Sequence, residues 1–377
     1  MADLLEAGGP GDRPELSVLT VTFRTMTGMH SNRAGVSGAA PRIELRLHSE
    51  WPALTEALKP AGSSLRVFLA ERFPHTKPVF QHYKDSVGPL VVPAGPGTAG
   101  VGTGTVGGAF DWLVDFLVHP APDMHLPAVG ARRYGARMPA ALVELAALLQ
   151  TREPVEDGRA GQGAVSEFDG PCSGTTVDPE LLARGCWALS LLTELGRGVP
   201  PERSPLAELN PAIVTGRDLL GMASDAALDQ LTALRQQAES VLLPALASRV
   251  GRWAIGPTFE GSALMNADAD LIAAATLVEI KTLLGGKRKD GTRYATLDGP
   301  TLFQMLGYVL LDFSDRFAIR ELMLFNARYG HIATWDVSQL LHTLAGHPVD
   351  LQALRTEFAA FLRSGAKPSL RVRPMDR

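Results

Sequence analysis

The sequence predicts an α/β fold, a small mixed sheet flanked by helices and interrupted by a large helical insertion. Two stretches, 267–272 and 276–282, alternate apolar with polar side chains, the period-two pattern of half-buried strands. Residues 301–313 follow with apolar groups at helical spacing, and from Pro120 to about Val250 the chain reads as helices separated by polar loops.

Composition sets the bounds. With 377 residues, 45% hydrophobic and 20% charged, the chain can bury a sizeable core and fits two or three domains, or one core carrying an insertion. No apolar run is long enough to cross a bilayer, and the start, Met1-Ala-Asp-Leu-Leu-Glu6, has no basic segment followed by an apolar one. A cytoplasmic location is therefore expected. Cys172 and Cys186 are too few for a disulfide framework or a four-cysteine cluster. A net charge of −4 argues against a basic coat over the whole surface but permits a local basic groove.

The expected boundaries are 1–100 for an N-terminal region with a Gly/Pro-rich loop, 101–120 for a first core helix and 121–250 for the helical insertion. The core then occupies 251–345, and 346–377 forms a C-terminal helix and a fraying tail. Within the first region, 16–23 and 43–47 read as short strands, and 51–58 and 65–73 as helices that Pro74 and Pro78 keep from continuing. His75, Lys77, His82 and Lys84 follow as scattered polar groups, and 87–108 is rich in Gly, Pro, Val and Thr, as a flexible loop is. A helix opens at Gly107, with Asp111 and Asp115 four residues apart on one face. Asp111 is either a metal ligand or an acid favoured near a helix N-terminus by the macrodipole.

In the insertion, 139–150, 179–195 and 225–250 have helical patterns, and 152–176 is a Gly/Ser/Asp-rich connector. Arg132, Arg133 and Arg137 form a basic group on its edge, and Glu239 is a further helix-borne acid. The first core strand is expected at 257–265, where Glu260 faces either the site or solvent. Ala273-Ala-Ala275 then links the two alternating strands as a hairpin, which brings Asp270 beside Glu279 and Lys281. Asp268 points to the same face and competes with Asp270 for the role of first acid. Two carboxylates offer the hard oxygens that suit Mg²⁺ or Mn²⁺, and a lysine beside them can stabilise charge on a phosphorane.

After these strands, 285–293 is a glycine-bounded basic loop in which Lys287, Arg288, Lys289 and Arg293 are candidate phosphate contacts. On the next helix Gln304 and Tyr308 share a face. Residues 317–326 and 331–335 complete the sheet as a hairpin, with Arg328 and Tyr329 at its turn as candidate contacts to a nucleic-acid backbone. An amphipathic helix covers 351–362.

An acid-bearing strand, then Glu279-Ile-Lys281, then Gln304-x-x-x-Tyr308 on a helix resembles the PD-(D/E)XK nuclease superfamily, and the last motif is similar to its RecB-like branch. The likeness extends over roughly a quarter to a third of the chain. Gly107, Asp111 and Asp115 occupy places similar to the branch's Gly-x-x-x-His-x-x-x-Glu, with aspartate at the histidine position. Ala269 stands where the family usually has a proline.

The resemblance implies a restriction-endonuclease-like sheet and a Mg²⁺-dependent deoxyribonuclease of repair, recombination or defence, acting on DNA and working with a helicase or ATPase. Asp270, Glu279, Lys281, Gln304 and Tyr308 are its expected catalytic set, with the metal held by Asp270, Glu279 and Asp111. The alternative is a catalytically inactive nucleic-acid-binding or assembly module on the same fold.

Overall fold

The computed structural model describes residues 51–95, 103–152, 166–170 and 174–365, and the backbones of Ile43–Arg46 and Ser369–Val372. At its centre six strands lie side by side in chain order: β1 Ser166–Gly170, β2 Gly251–Ile255, β3 Leu271–Ala273, β4 Thr276–Lys281, β5 Glu321–Asn326 and β6 His331–Asp336. All neighbours are antiparallel except β4 and β5, which run parallel from Thr276↔Glu321 to Lys281↔Asn326. Parallel neighbours require a crossover. This one contains the two-stranded ribbon Gly286–Lys287 with Arg293–Tyr294, then the helix Gly299–Leu311.

Side-chain alternation decides what each face of the sheet buries. Trp253, Leu271, Val278, Ile280 and Phe325 face one core, built with the helices Thr103–Val118, Pro179–Gly196 and Asp225–Gln237. Ala254, Ile272, Leu277, Leu322 and Leu324 face the other, built with Gly299–Leu311, Val337–Ala345 and Leu351–Ser364. Helices on both sides explain why β4 and β5 are buried on nearly every residue, the charged Glu279 included. The expected mixed sheet between helices is therefore present.

Four local expectations are corrected. The first core strand is Gly251–Ile255, because residues 257–265 instead fold around a 3-10 turn, Glu260–Ala263. Ser262 Oγ accepts from the Phe259 N–H at 2.9 Å and donates to the Ala267 carbonyl at 2.7 Å, giving that backbone local partners in place of a ladder. The connector at 152–176 supplies edge strand β1, where a Cβ on Gly170 would fall 2.5 Å from the Trp253 ring, so glycine lets β1 lie over that ring. The helix expected to open at Gly107 starts at Thr103, so Asp111 sits well inside it and the macrodipole account of that acid fails. The C-terminal tail includes Ser369–Val372, which pairs with Ile43–Arg46. The expected strand at 16–23 lies outside the described residues, as does Cys172; Cys186 is fully buried. No helix among the described residues is long and apolar enough to cross a membrane.

In the helical layer, His125–Tyr134 crosses Pro179–Gly196 at close range. A Cβ on Gly130 would fall 1.9 Å from the Leu192 carbonyl oxygen, and one on Gly196 would fall 2.4 Å from that of Leu126. Only glycine permits that approach, which fixes where the longer helix ends.

Candidate functional site

The site forms where two paired strands part. The β3–β4 register runs Ala273↔Thr276, Ile272↔Leu277, Leu271↔Val278, so the next cross-strand pair would be Asp270 with Glu279. The ladder stops there. Upstream of Leu271 the chain pairs with the segment after β2: Ala269 N–H donates to the Pro257 carbonyl at 3.1 Å, Gly256 N–H donates to the Asp270 carbonyl at 3.0 Å, and Thr258 bridges Asp268. The Ile280 N–H, which a continued ladder would give to a strand carbonyl, donates instead to Asp270 Oδ2 at 2.7 Å. The first acid is thereby seated in the opening between the strands.

Glu279 is fully buried on β4, and the Lys281 ammonium lies against its Oε1 as an ion pair. Neither carboxylate oxygen has a hydrogen-bond partner of good geometry. Burial first, and Asp270 second, push the Glu279 carboxyl up to about 8, against the pull of Lys281. Burial alone would lower the Lys281 ammonium; Glu279, Asp270 and Asp111 outweigh it and hold the lysine protonated. Asp270 is likewise raised by burial, with Lys281 and the Ile280 N–H opposing.

The helix Thr103–Val118 brings in more acids. Its orientation is fixed by Trp112 Nε1–H donating to Thr193 Oγ1 at 3.0 Å and by the Thr105 hydroxyl donating to Glu194 at 2.7 Å. Gly107 then meets the strand exit, where its Cβ would stand 3.4 Å from Thr282 Oγ1. Asp111 and Asp115 continue that face. Burial, then Asp270, raises both carboxyls well above the usual range. On the opposite side of the sheet Gln304 Nε2–H donates to the Tyr308 hydroxyl oxygen at 2.7 Å, and Tyr308 stacks on Phe259 at 5.7 Å between ring centroids. Burial, then Glu279, raises the Tyr308 phenol well above its usual value. Because its oxygen accepts from Gln304, its own proton is free to be donated.

Asp111, Asp270, Glu279, Lys281, Gln304 and Tyr308 are thus neighbours, and Asp268 lies on the rim. The buried Glu279 oxygens, met by no donor other than the Lys281 ammonium, fit a hard divalent cation together with Asp270 beside them, because a buried carboxylate so sparsely solvated is costly. Among the described residues, no three His, Cys, Asp or Glu side chains already converge on one metal position.

The basic ribbon carries Lys287, Arg288 and Lys289 exposed, with Arg288 over the Tyr294 ring at 4.9 Å. Arg293 is half-buried and donates to the Gly285 carbonyl at 3.3 Å. Arg328 does not belong with these. It is buried, and its guanidinium donates to the carbonyls of Thr282 at 2.8 Å, Val92 at 3.2 Å and Pro93 at 3.3 Å, and to Gln230 Oε1 at 2.8 Å. Its role is to tie the β5–β6 turn to the loop after the helix Lys77–Ser86, not to contact DNA. Tyr329 is also buried, donating to the Leu284 carbonyl at 2.8 Å. Arg133 caps the Leu195 and Gly196 carbonyls, Arg137 pairs with Glu144, and Glu239 pairs with Arg235. Glu260 accepts from the Ser314 N–H.

Sequence reasoning missed Arg197. It follows the helix Pro179–Gly196, and its guanidinium pairs with Asp268 at 2.9 Å. Partial desolvation of the exposed guanidinium pulls its pKa down, but Asp268 and then Asp111 more than offset it. No local pattern marks it, since its partner is 71 residues away. Compared with family models, curated proteins and solved structures, the chain matches none.

Proposed function

We propose that the chain is a metal-dependent nuclease of the PD-(D/E)XK type that hydrolyses DNA phosphodiester bonds. The observation that carries this reading is the parting of β3 from β4, which seats Asp270 beside a buried Glu279 whose oxygens have no hydrogen-bond donor other than the Lys281 ammonium held against Oε1. Asp270 and Glu279, with Asp111 from the neighbouring helix, would hold Mg²⁺ or Mn²⁺. Bound there, the ion supplies charge neutralisation and Lewis acidity at a phosphodiester. Lys281 keeps its proton, so it offers a fixed positive charge to the phosphate undergoing attack. Tyr308, held by Gln304, stays protonated and offers a hydrogen-bond donor on the same side. The exposed ribbon cations Lys287, Arg288 and Lys289 suit contacts to flanking phosphates, which position a backbone without reading its sequence.

The test is cleavage of linear and circular DNA, single- and double-stranded, with Mg²⁺ or Mn²⁺. Glu279→Gln and Lys281→Ala should each lower the rate on the order of a hundredfold or more, and undiminished activity in either would sink the assignment. A second reading, a nucleic-acid-binding module without catalysis, draws on one observation: Lys281 already neutralises Glu279. Calorimetry separates the two, because that module binds DNA but takes up no Mn²⁺.

A further inference from the structure

We propose that Arg197 and Asp268 form a phosphate-receiving pair at the mouth of the site, in which Asp268 holds the guanidinium until a backbone phosphate of the substrate replaces it. The inference rests on the nuclease reading and assigns a chemical role to the helical layer within it.

The arginine is launched from a fixed point. The glycine crossing at Gly130 and Gly196 sets the position of the helix end, Arg133 caps the carbonyls of Leu195 and Gly196, and the Arg197 N–H itself donates to the Thr193 carbonyl at 2.8 Å. From there the side chain reaches Asp268, two residues before the acid seated between the strands. In the β3–β4 register, extended past its last pair, Asp268 falls opposite Lys281. The guanidinium is also close enough to Asp111 and Asp270 to oppose, as a minor contribution, the burial that raises both carboxyls. It is therefore a cation at the rim of an acidic centre, where a polyanion would otherwise be repelled.

Two facts suit exchange of partners. The pair is exposed, with 57% of the Arg197 side chain and 39% of the Asp268 side chain accessible, and such a pair contributes little to stability. Lys281, by contrast, is engaged with the buried Glu279 inside the site, where it serves the phosphate under attack and cannot also reach one at the rim without leaving Glu279 unpaired. A planar guanidinium released from a carboxylate is matched to a phosphate, whose two free oxygens present the same fork geometry.

The experiment exploits a difference in sign. Binding of a fluorescein-labelled oligonucleotide, single-stranded and duplex, is measured by anisotropy in EDTA over a salt series for the full chain and for Arg197→Ala, Arg197→Lys and Asp268→Asn. Arg197→Ala should weaken binding about tenfold, as loss of a charged hydrogen bond does, and flatten the salt slope by about 0.7–0.9. Arg197→Lys should recover part of the affinity, and Asp268→Asn should tighten binding, because the competing carboxylate is gone. A merely structural clasp predicts the opposite for Asp268→Asn: both partners' variants would lose thermal stability together and neither would bind more tightly.

That outcome, or unchanged binding in Arg197→Ala, overturns the proposal. Should Arg197→Ala fail to fold, the sign of the Asp268→Asn effect alone decides. Opposite-signed effects without any cleavage in Mn²⁺ would support the phosphate pair and count against the nuclease reading. A wild-type chain that binds no DNA overturns both.

Discussion

Asp270 accepts the Ile280 N–H through a carboxylate oxygen at 2.7 Å, so a side chain closes the ladder where the two strands part. The same group then has two duties, one in the fold and one in the chemistry, and they are separable. Asp270→Ala leaves the Ile280 N–H without its acceptor and should cost about 1–3 kcal/mol in denaturant unfolding. Asp270→Asn keeps an acceptor oxygen and sheds a repulsive charge, so it should unfold at or above the wild-type midpoint while losing Mn²⁺ affinity by calorimetry. Equal destabilisation in both would show that the hydrogen bond is not what holds the strand end.

Glu279 makes stability fall as pH rises. Its carboxyl goes from an ordinary 4.5 to about 8 in the folded chain. Between those values the folded state holds a proton that the unfolded state has released, so unfolding free energy decreases with pH through that window. Glu279→Gln removes the titration. The variant should melt higher than wild type near pH 8, by on the order of a few degrees, and its melting temperature should vary less between pH 5 and pH 8. A parallel pair of pH profiles would refute this.

Arg328 and the ribbon cations should behave oppositely. Arg328→Ala strips donors from buried carbonyls and from Gln230, and should cost at least about 2 kcal/mol of stability while leaving DNA binding by the folded protein unchanged.

Alanine at Lys287, Arg288, Lys289 and Arg293 together should leave the melting temperature and metal affinity nearly unchanged. It should weaken DNA binding, with the salt slope falling by about 0.7–0.9 for each phosphate that is no longer neutralised. An unchanged slope would mean that the substrate enters elsewhere.

Ala274 sits at φ 55° in the two-residue turn joining β3 and β4, a left-handed conformation that favours glycine. Ala274→Gly relieves that strain at some entropic cost in the unfolded chain, and should stabilise the hairpin by about 1 kcal/mol at most. Thermal unfolding measures it; a destabilised variant would show that the turn is not strained.

What was legible in the sequence was local. Alternation placed Glu279 and Lys281 on one face of β4 and Val278 and Ile280 on the other, the Ala273–Ala275 link closed as a hairpin, and Gln304 with Tyr308 fell on one helix face. What was not legible depended on distant partners. Ser166–Gly170 has few β-formers and becomes a strand only because β2 offers an edge. Arg328 reads as a turn cation until the carbonyls of Val92 and Pro93 arrive from elsewhere in the chain. Arg197 gains meaning only from Asp268.

Strand β1 has a practical consequence for anyone who would divide this chain. It arises between the helices Met138–Leu148 and Pro179–Gly196, yet covers the flank of β2. A fragment beginning at Gly251 would keep Asp270, Glu279, Lys281 and Tyr308 but bare the N–H and C=O groups of β2, a template for pairing with other chains. It would also expose the Trp253, Val278 and Phe325 face of the sheet. Such a fragment should aggregate on expression, so truncation is a poor route to a minimal catalytic unit.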